Sequence, residues 1–265
     1  MPYFAGIDLG TSSVKVLVMD ASGRPLGIGK SAYEVQIPQI GCAEQDPGEW
    51  WQSTKSAAGQ ALLQAGISPE KIMGIGFSGQ MHGLVALDRD RNPVCPAMIH
   101  LDQRSAEERK EILSFAGDLM ETELLNQPGA GMMICSLLWL KKHRPACYDE
   151  IKTVLLPKDY IRYRLTGVIG SDSTDASSTL AFSVRNNCWC RELIDRLGLK
   201  NDIWPEVSAP FDVVGKVSKI AAAETGFSPG TRVVAGGGDS AMALVGNGIV
   251  REGVMACNVG TASQI

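Results

Sequence analysis

Near the start of the chain, residues 3–9 and 14–20 form two predominantly apolar, β-branched runs, with Gly10-Thr11-Ser12-Ser13 between them. Short apolar runs bounded by a turn signal predict two strands joined by a polar, Gly-led hairpin turn. Residues 24–33 supply a third strand. Helical spacing follows. Asp46-Pro47 offers a capping carboxylate followed by proline at the first helical position, and Trp50, Thr54, Ala57, Ala58, Ala61, Leu62 and Ala65 recur at helical spacing until Gly66 stops them. Further strands are predicted at 71–77 and 84–87, followed by a charged turn at 88–92. Helices are predicted over 105–120, opening on a Ser105/Glu108 capping box, and over 132–143 and 158–165, with a strand at 153–156. The last third reads as helices at 218–225 and from 240, with strands at 231–235 and 254–259. Strands interleaved with helices along the whole length predict an α/β layered domain.

Composition adds mainly exclusions. With 265 residues, 45% apolar and 20% charged, and only 29 glycines and 13 prolines, the chain is neither a disordered tail nor a collagen-like repeat, and its length allows one large domain or two small ones. A net charge of -4 is the wrong electrostatic footprint for nucleic acid or an anionic membrane, so neither is expected as a partner. No apolar run reaches the roughly 18 residues of a membrane span, and the first residues lack a basic and an apolar leader region, which leads to the expectation of a cytoplasmic protein. Seven cysteines without a CxxC unit read as reduced thiols and give no support for zinc.

Gly74-Ile75-Gly76-Phe77-Ser78-Gly79 matches G-x-G-x-x-G letter for letter, but it leads into another strand instead of a helix, so the dinucleotide reading is rejected. Asp8 at a strand end, before Gly10, Thr11, Ser12 and Lys15, has a different logic. Such a turn can cradle phosphate oxygens while the carboxylate holds magnesium, although a plain hairpin with a solvated Asp fits the same spacing. Gly236-Gly237-Gly238 let backbone approach a ligand, and Asp239 at a helix start reads equally as an N-cap or as a carboxylate that accepts a proton from a substrate hydroxyl. Gln80-Met81-His82-Gly83 places an amide, a thioether and an imidazole after a strand end, where α/β proteins put ligand contacts, against the plainer reading of a structural histidine. His100-Leu101-Asp102-Gln103-Arg104 adds a polar cluster whose plain reading is a solvated loop.

Taken together, these segments resemble the FGGY carbohydrate kinases of the actin, Hsp70 and sugar-kinase superfamily, and within them the xylulokinase branch. The residues that carry the likeness are Gly6-Ile7-Asp8-Leu9-Gly10-Thr11-Ser12, Glu44-Gln45-Asp46-Pro47 with Trp50-Trp51, Gly79-Gln80-Met81-His82-Gly83, Leu155-Leu156-Pro157-Lys158-Asp159-Tyr160, Ser171-Asp172, Ala235-Gly236-Gly237-Gly238-Asp239 and Gly260-Thr261. The resemblance implies a ribonuclease-H-like lobe with a mixed sheet flanked by helices. It implies a sugar-binding lobe at residues 1–249 and the opening strands of an ATP-binding lobe at 250–265, the chain being inactive alone. It further implies ATP with Mg2+ as cofactors and phosphorylation of a ketopentose, D-xylulose before ribulose, glycerol or another polyol. By position, Asp239 would be the base, Asp8 the magnesium ligand, and Gly10, Thr11, Ser12, Lys15, Gly260 and Thr261 the ATP phosphate contacts. Gln80, Met81, His82, His100, Ser240 and Asp239 would line the sugar. His100 stands where the family commonly has Trp, and Ser240 where it has Asn or Gln. A sugar-binding module without catalysis and a sugar-independent ATPase or phosphatase of the same superfamily are the competing readings. The unpaired opening strands predict self-association, a homodimer included.

Overall fold

A computed structural model describes residues 2–256 and the backbone of 258–259 and 263–264. Strands β1 (Tyr3–Leu9), β2 (Ser13–Asp20) and β3 (Pro25–Ala32) form an antiparallel meander. The chain then crosses through helix α1 (Pro47–Ala65) to β4 (Ile72–Gly79), which lies parallel to β1. Much later β5 (Val213–Lys216), β6 (Arg232–Val234) and the two-residue β7 (Gly237–Gly238) complete a seven-stranded sheet. Its order is β5-β6-β4-β1-β2-β3, with β7 continuing along β4 beyond β6. The α/β layers are those that the interleaved strands and helices predict, and the mixed sheet is the one the resemblance implies.

Helix α1 forms as read: the Asp46 carboxylate accepts the Gly48 N–H at 2.7 Å, Pro47 opens the first turn, and Gly66 closes it in the left-handed region. Its buried face carries Ala57 and Ala61 and lies directly on β3, so close that a Cβ on Gly29 would fall 1.9 Å from the Ala57 carbonyl. Gln60 and Gln64 of the same helix accept the Lys30 and Ile28 N–H groups, satisfying backbone that an edge strand would otherwise leave open. Trp50 and Trp51 are buried in this core, as expected, with the Trp51 indole N–H bonded to Glu224.

Between β4 and β5 the chain builds a second apolar core around α2 (Ala106–Ala116) and α3 (Met133–His143). Returning toward the sheet, it forms α4 (Pro157–Thr166) and α5 (Ser173–Ser178). Helix α6 (Lys219–Thr225) and helix α7 (Asp239–Gly246) follow. The capping box at α2 does not form: Ser105 makes no capping bond, and Glu108 turns inward to Lys142 and His143. That helix also ends at Ala116, short of the expected 120. Of the strand expected at 254–259, residues 254–256 are irregular and 258–259 are extended, while Cys257 lies outside the described residues. Gly237 and Gly238 are not simply a flexible connector, because they extend the sheet.

Candidate active site

Strand register does most of the assembly. In the β1–β4 pair, Asp8 lies opposite Ser78 and Leu9 opposite Gly79, while in the β7–β4 pair Gly237 lies opposite Ser78 and Gly238 opposite Gly79. Three parallel strands therefore end at one level, and their carboxyl ends deliver Asp8, Gln80 and Asp239 to one edge of the sheet. This is the edge at which open α/β sheets bind ligands. The segment Gly74 to Gly79 runs along β4 as a continuous strand, so its glycines open no helix and form no dinucleotide turn.

Beyond Asp8, the Gly10 to Ser13 turn is held largely through its carbonyls, that of Ser13 accepting the Gly10 N–H at 3.1 Å. Tyr33 donates its hydroxyl to the Gly10 carbonyl and its N–H to that of Ser12, and the Gln45 amide donates to that of Thr11 at 2.7 Å. Burial first, and the Asp8 charge second, push the Tyr33 phenol above its ordinary pKa, which keeps it a donor. With the carbonyls taken up, the hydroxyls and amides of half-buried Thr11 and exposed Ser12 are what the turn has left to offer, the chemistry that suits an anion. Asp8 accepts the Ser78 hydroxyl at 3.0 Å on one oxygen and lies 3.5 Å from the Lys15 ammonium on the other, with about a third of its side chain open to solvent. An open carboxylate beside hydroxyls and a lysine is a donor set that fits magnesium carried in with a nucleotide phosphate.

On the other side of this edge, Gln80 is buried, and its amide donates to the Gln45 carbonyl oxygen at 2.9 Å. It ties the loop that follows β4 to the phosphate-type turn, with its Oε1 left unpartnered. Met81 packs against Gly238 so tightly that a Cβ there would fall 2.7 Å from its Cγ. His82 adopts φ +72°, rare for a residue with a side chain, and its Nδ1 lies 2.8 Å from the Ser178 carbonyl. A carbonyl only accepts, so Nδ1 carries the proton and Nε2 is left as an acceptor. His100 is half-buried with an unpartnered Nδ1; burial, then His82, lower its pKa, while Asp239 opposes them. The charges of both His82 and Asp239 thus reach His100. The loop carrying His100 is not the solvated one expected, because Asp102 is fully buried in a two-pronged pair with Arg104, which also reaches Glu44. Asp239 is the exposed first residue of α7, not its cap, and accepts the Ser240 N–H at 2.6 Å on Oδ1. Gly260 and Thr261 lie outside the described residues.

Residues 3–246 match the model for the N-terminal domain of the FGGY family of carbohydrate kinases. The chain belongs to that family. A xylulose kinase of Bacillus subtilis is 34% identical over the whole chain, which covers 53% of that protein, and one from Escherichia coli is 33% identical over 98% of the chain. Among solved structures, a "xyloylose kinase" from Brucella ovis superposes with a TM-score of 0.83 at 32% identity, covering 90% of this chain and 49% of that one. A xylulose kinase from Rhodospirillum rubrum superposes with a TM-score of 0.94 at 24% identity, a likeness of fold. The chain spans about half the length of the curated relatives it matches.

In this FGGY-family chain, one constellation behind the edge carried no chemistry in the sequence reading. Lys158, fully buried at the start of α4, places its ammonium 2.6 Å from Asp159, 2.7 Å from Asp172 and 3.1 Å from Asp175. Arg162 adds a second cation 3.3 Å from Asp159 and donates to the Ala235 carbonyl just before the glycine run. Burial works against the ammonium, but Asp159, Asp175 and Asp172 together raise the Lys158 pKa. Asp175 goes the other way from most paired acids: burial raises its pKa well above the ordinary value, Lys158 lowers it, and Asp172 and Asp159 raise it again. A proton on Asp175 leaves two carboxylates facing two cations, a balanced cluster.

The sign of that shift sets a pH dependence. A carboxyl whose folded pKa is raised supports the fold fully below the unfolded value of about 4, and the support drains away as pH rises toward the folded value. Asparagine imitates the protonated form. Asp175→Asn is therefore expected to match wild-type stability near pH 4 and to exceed it by a growing margin toward neutrality. Urea melts across that range check this; a margin that does not change with pH would contradict the assignment.

Proposed function

We propose that residues 1–249 are the sugar-binding lobe of an ATP-dependent kinase that converts D-xylulose to D-xylulose 5-phosphate, and that residues 250–265 open its ATP-binding lobe. The observation that carries this reading is the convergence of Asp8 with its phosphate-type turn and of His82 with Asp239 on one sheet edge. The names of the relatives supply the substrate. Six free cysteines among the described residues support a cytoplasmic setting.

The roles follow from the chemistry of each group. Phosphoryl transfer asks a protein mainly for positioning and charge stabilisation. The Nε2 acceptor of His82 orients a sugar hydroxyl, with Met81 and His100 beside it and Ser240 next to the base. Asp239 accepts the proton of the attacking hydroxyl through Oδ2, since the Ser240 bonds fall on Oδ1. Gly10, Thr11, Ser12 and Lys15, with Gly260 and Thr261, receive the ATP phosphates. Asp8 holds magnesium, which neutralises charge on the phosphoryl oxygens when bound. Gln80 shapes the sugar loop through Gln45.

The test is a substrate panel on the complete gene product. ADP release is expected to depend on sugar and to be fastest with D-xylulose, while residues 1–265 alone give no appreciable turnover. Release indifferent to every sugar would replace the reading with an ATPase, and a preference for ribulose or glycerol would replace the substrate.

A further inference from the structure

Helix α5 is six residues long and reaches the active edge from both ends. At its start, the Thr174 hydroxyl donates to Asp172 Oδ1 at 2.6 Å and accepts the Gly238 N–H at 3.0 Å. Gly238 is the residue before Asp239. At its end, the Ser178 hydroxyl accepts the His82 N–H at 3.2 Å and donates to the Asp175 carbonyl, while the Ser178 carbonyl accepts from His82 Nδ1. The left-handed backbone of His82 is thus pinned by two bonds to one residue. The four steps from Thr174 to Ser178 span about 6 Å of helix axis, a fixed spacer. The helix is itself anchored, because its N-cap Asp172 is locked to the buried Lys158.

We propose that Thr174 and Ser178 are positioning residues for phosphoryl transfer: Thr174 fixes the backbone N–H of Gly238, one residue before Asp239, and Ser178 fixes the backbone and ring of His82, so α5 sets the distance from base to sugar contact. The inference rests on the roles given above to Asp239 and His82. Its chemistry is specific to a hydroxyl at 174. Only a group that donates and accepts at once satisfies both the Asp172 carboxylate and the Gly238 N–H, and serine retains that ability where valine, of the same shape as threonine, does not. Neither side chain reaches the reacting atoms itself. Their effect passes through geometry, to which in-line transfer is steeply sensitive.

In the complete gene product, Thr174→Val is expected to lower kcat about tenfold to a hundredfold while the KM for D-xylulose stays within about twofold, because a displaced base weakens the transition state more than sugar binding. Thr174→Ser is expected to restore kcat to within about threefold of wild type. Ser178→Ala is expected to show the opposite split, with KM raised about threefold to tenfold and kcat less affected, as one hydrogen bond to His82 is lost. Amide hydrogen exchange at Gly238 is expected to quicken in Thr174→Val and not in Ser178→Ala. A Thr174→Val enzyme with wild-type kcat, a loss that serine does not restore, or two variants that lose kcat, KM and melting temperature in parallel would each overturn the positioning role. A wild-type product that phosphorylates no sugar would overturn the functional reading and this inference with it.

Discussion

Asparagine in place of Asp239 is expected to lower kcat for D-xylulose phosphorylation by about a hundredfold to ten-thousandfold, the range ordinarily lost with a general base, with little change in KM. The substitution preserves shape, and its amide oxygen still accepts the Ser240 N–H that now holds Oδ1. What it loses is a site for the proton of the attacking hydroxyl. The exposed position of Asp239 at the start of α7 makes the change safe for the fold, so stability is expected to remain at wild type. Steady-state kinetics on the complete gene product decide the matter. Turnover retained to within a few-fold would remove Asp239 from the role of base and favour its other reading, a carboxylate that simply belongs to a helix start.

The two readings of Asp239 were open in the sequence because both ask for an acid after a glycine turn. The cap reading falls because Gly238 holds that position, and the register sets Gly238 opposite Gly79, in line with the loop that bears His82. Pairing between strands some 160 residues apart leaves no local trace, so the convergence of Asp8, His82 and Asp239 was legible through family resemblance and not through periodicity. The scaffold was far more legible. Strands β1 and β2 stand out as apolar runs broken by a Gly-led turn, helix α1 carries its apolar residues at helical spacing, and the Asp46-Pro47 and Gly66 signals mark the ends of α1 where the structure has them.

The failures share a physical cause, which is a tertiary partner that outbids a local one. Ser105 and Glu108 have the spacing of a capping box, yet Glu108 finds Lys142 and His143 on α3 and leaves the cap. Asp102 and Arg104 read as a wet loop because charged residues usually are, while in the fold each satisfies the other out of water. Helix α5 has no apolar stripe at all, being Ser-Thr-Asp-Ala-Ser-Ser, and exists because Asp172 caps it and the sheet edge needs its hydroxyls. The same holds for Lys158. Its neighbours Asp159 and Tyr160 stood out as a motif, but nothing local shows that the ammonium is buried among three acids 1, 14 and 17 positions further along.

That burial makes Lys158→Met the substitution with the largest expected effect on stability. Methionine fills a similar volume but leaves Asp159 with Arg162 as its one remaining cation and Asp172 with none, and stranding buried charge in this way costs about 3–5 kcal/mol. For a domain of this size the loss corresponds to a fall in melting temperature of roughly 10 °C. The raised Lys158 pKa places the ammonium's own titration far above neutrality, so the deficit is expected at pH 7 and undiminished up to about pH 9. Adding Asp175→Asn to Lys158→Met is expected to recover only part of the loss, since Asp175 already favours its protonated form and the two remaining carboxylates still lack their cation. Thermal melts of the two variants and the wild type between about pH 4 and pH 9 test each step, and a single variant that melts within about 3 °C of wild type at neutral pH would show that the cluster does not hold the fold by charge.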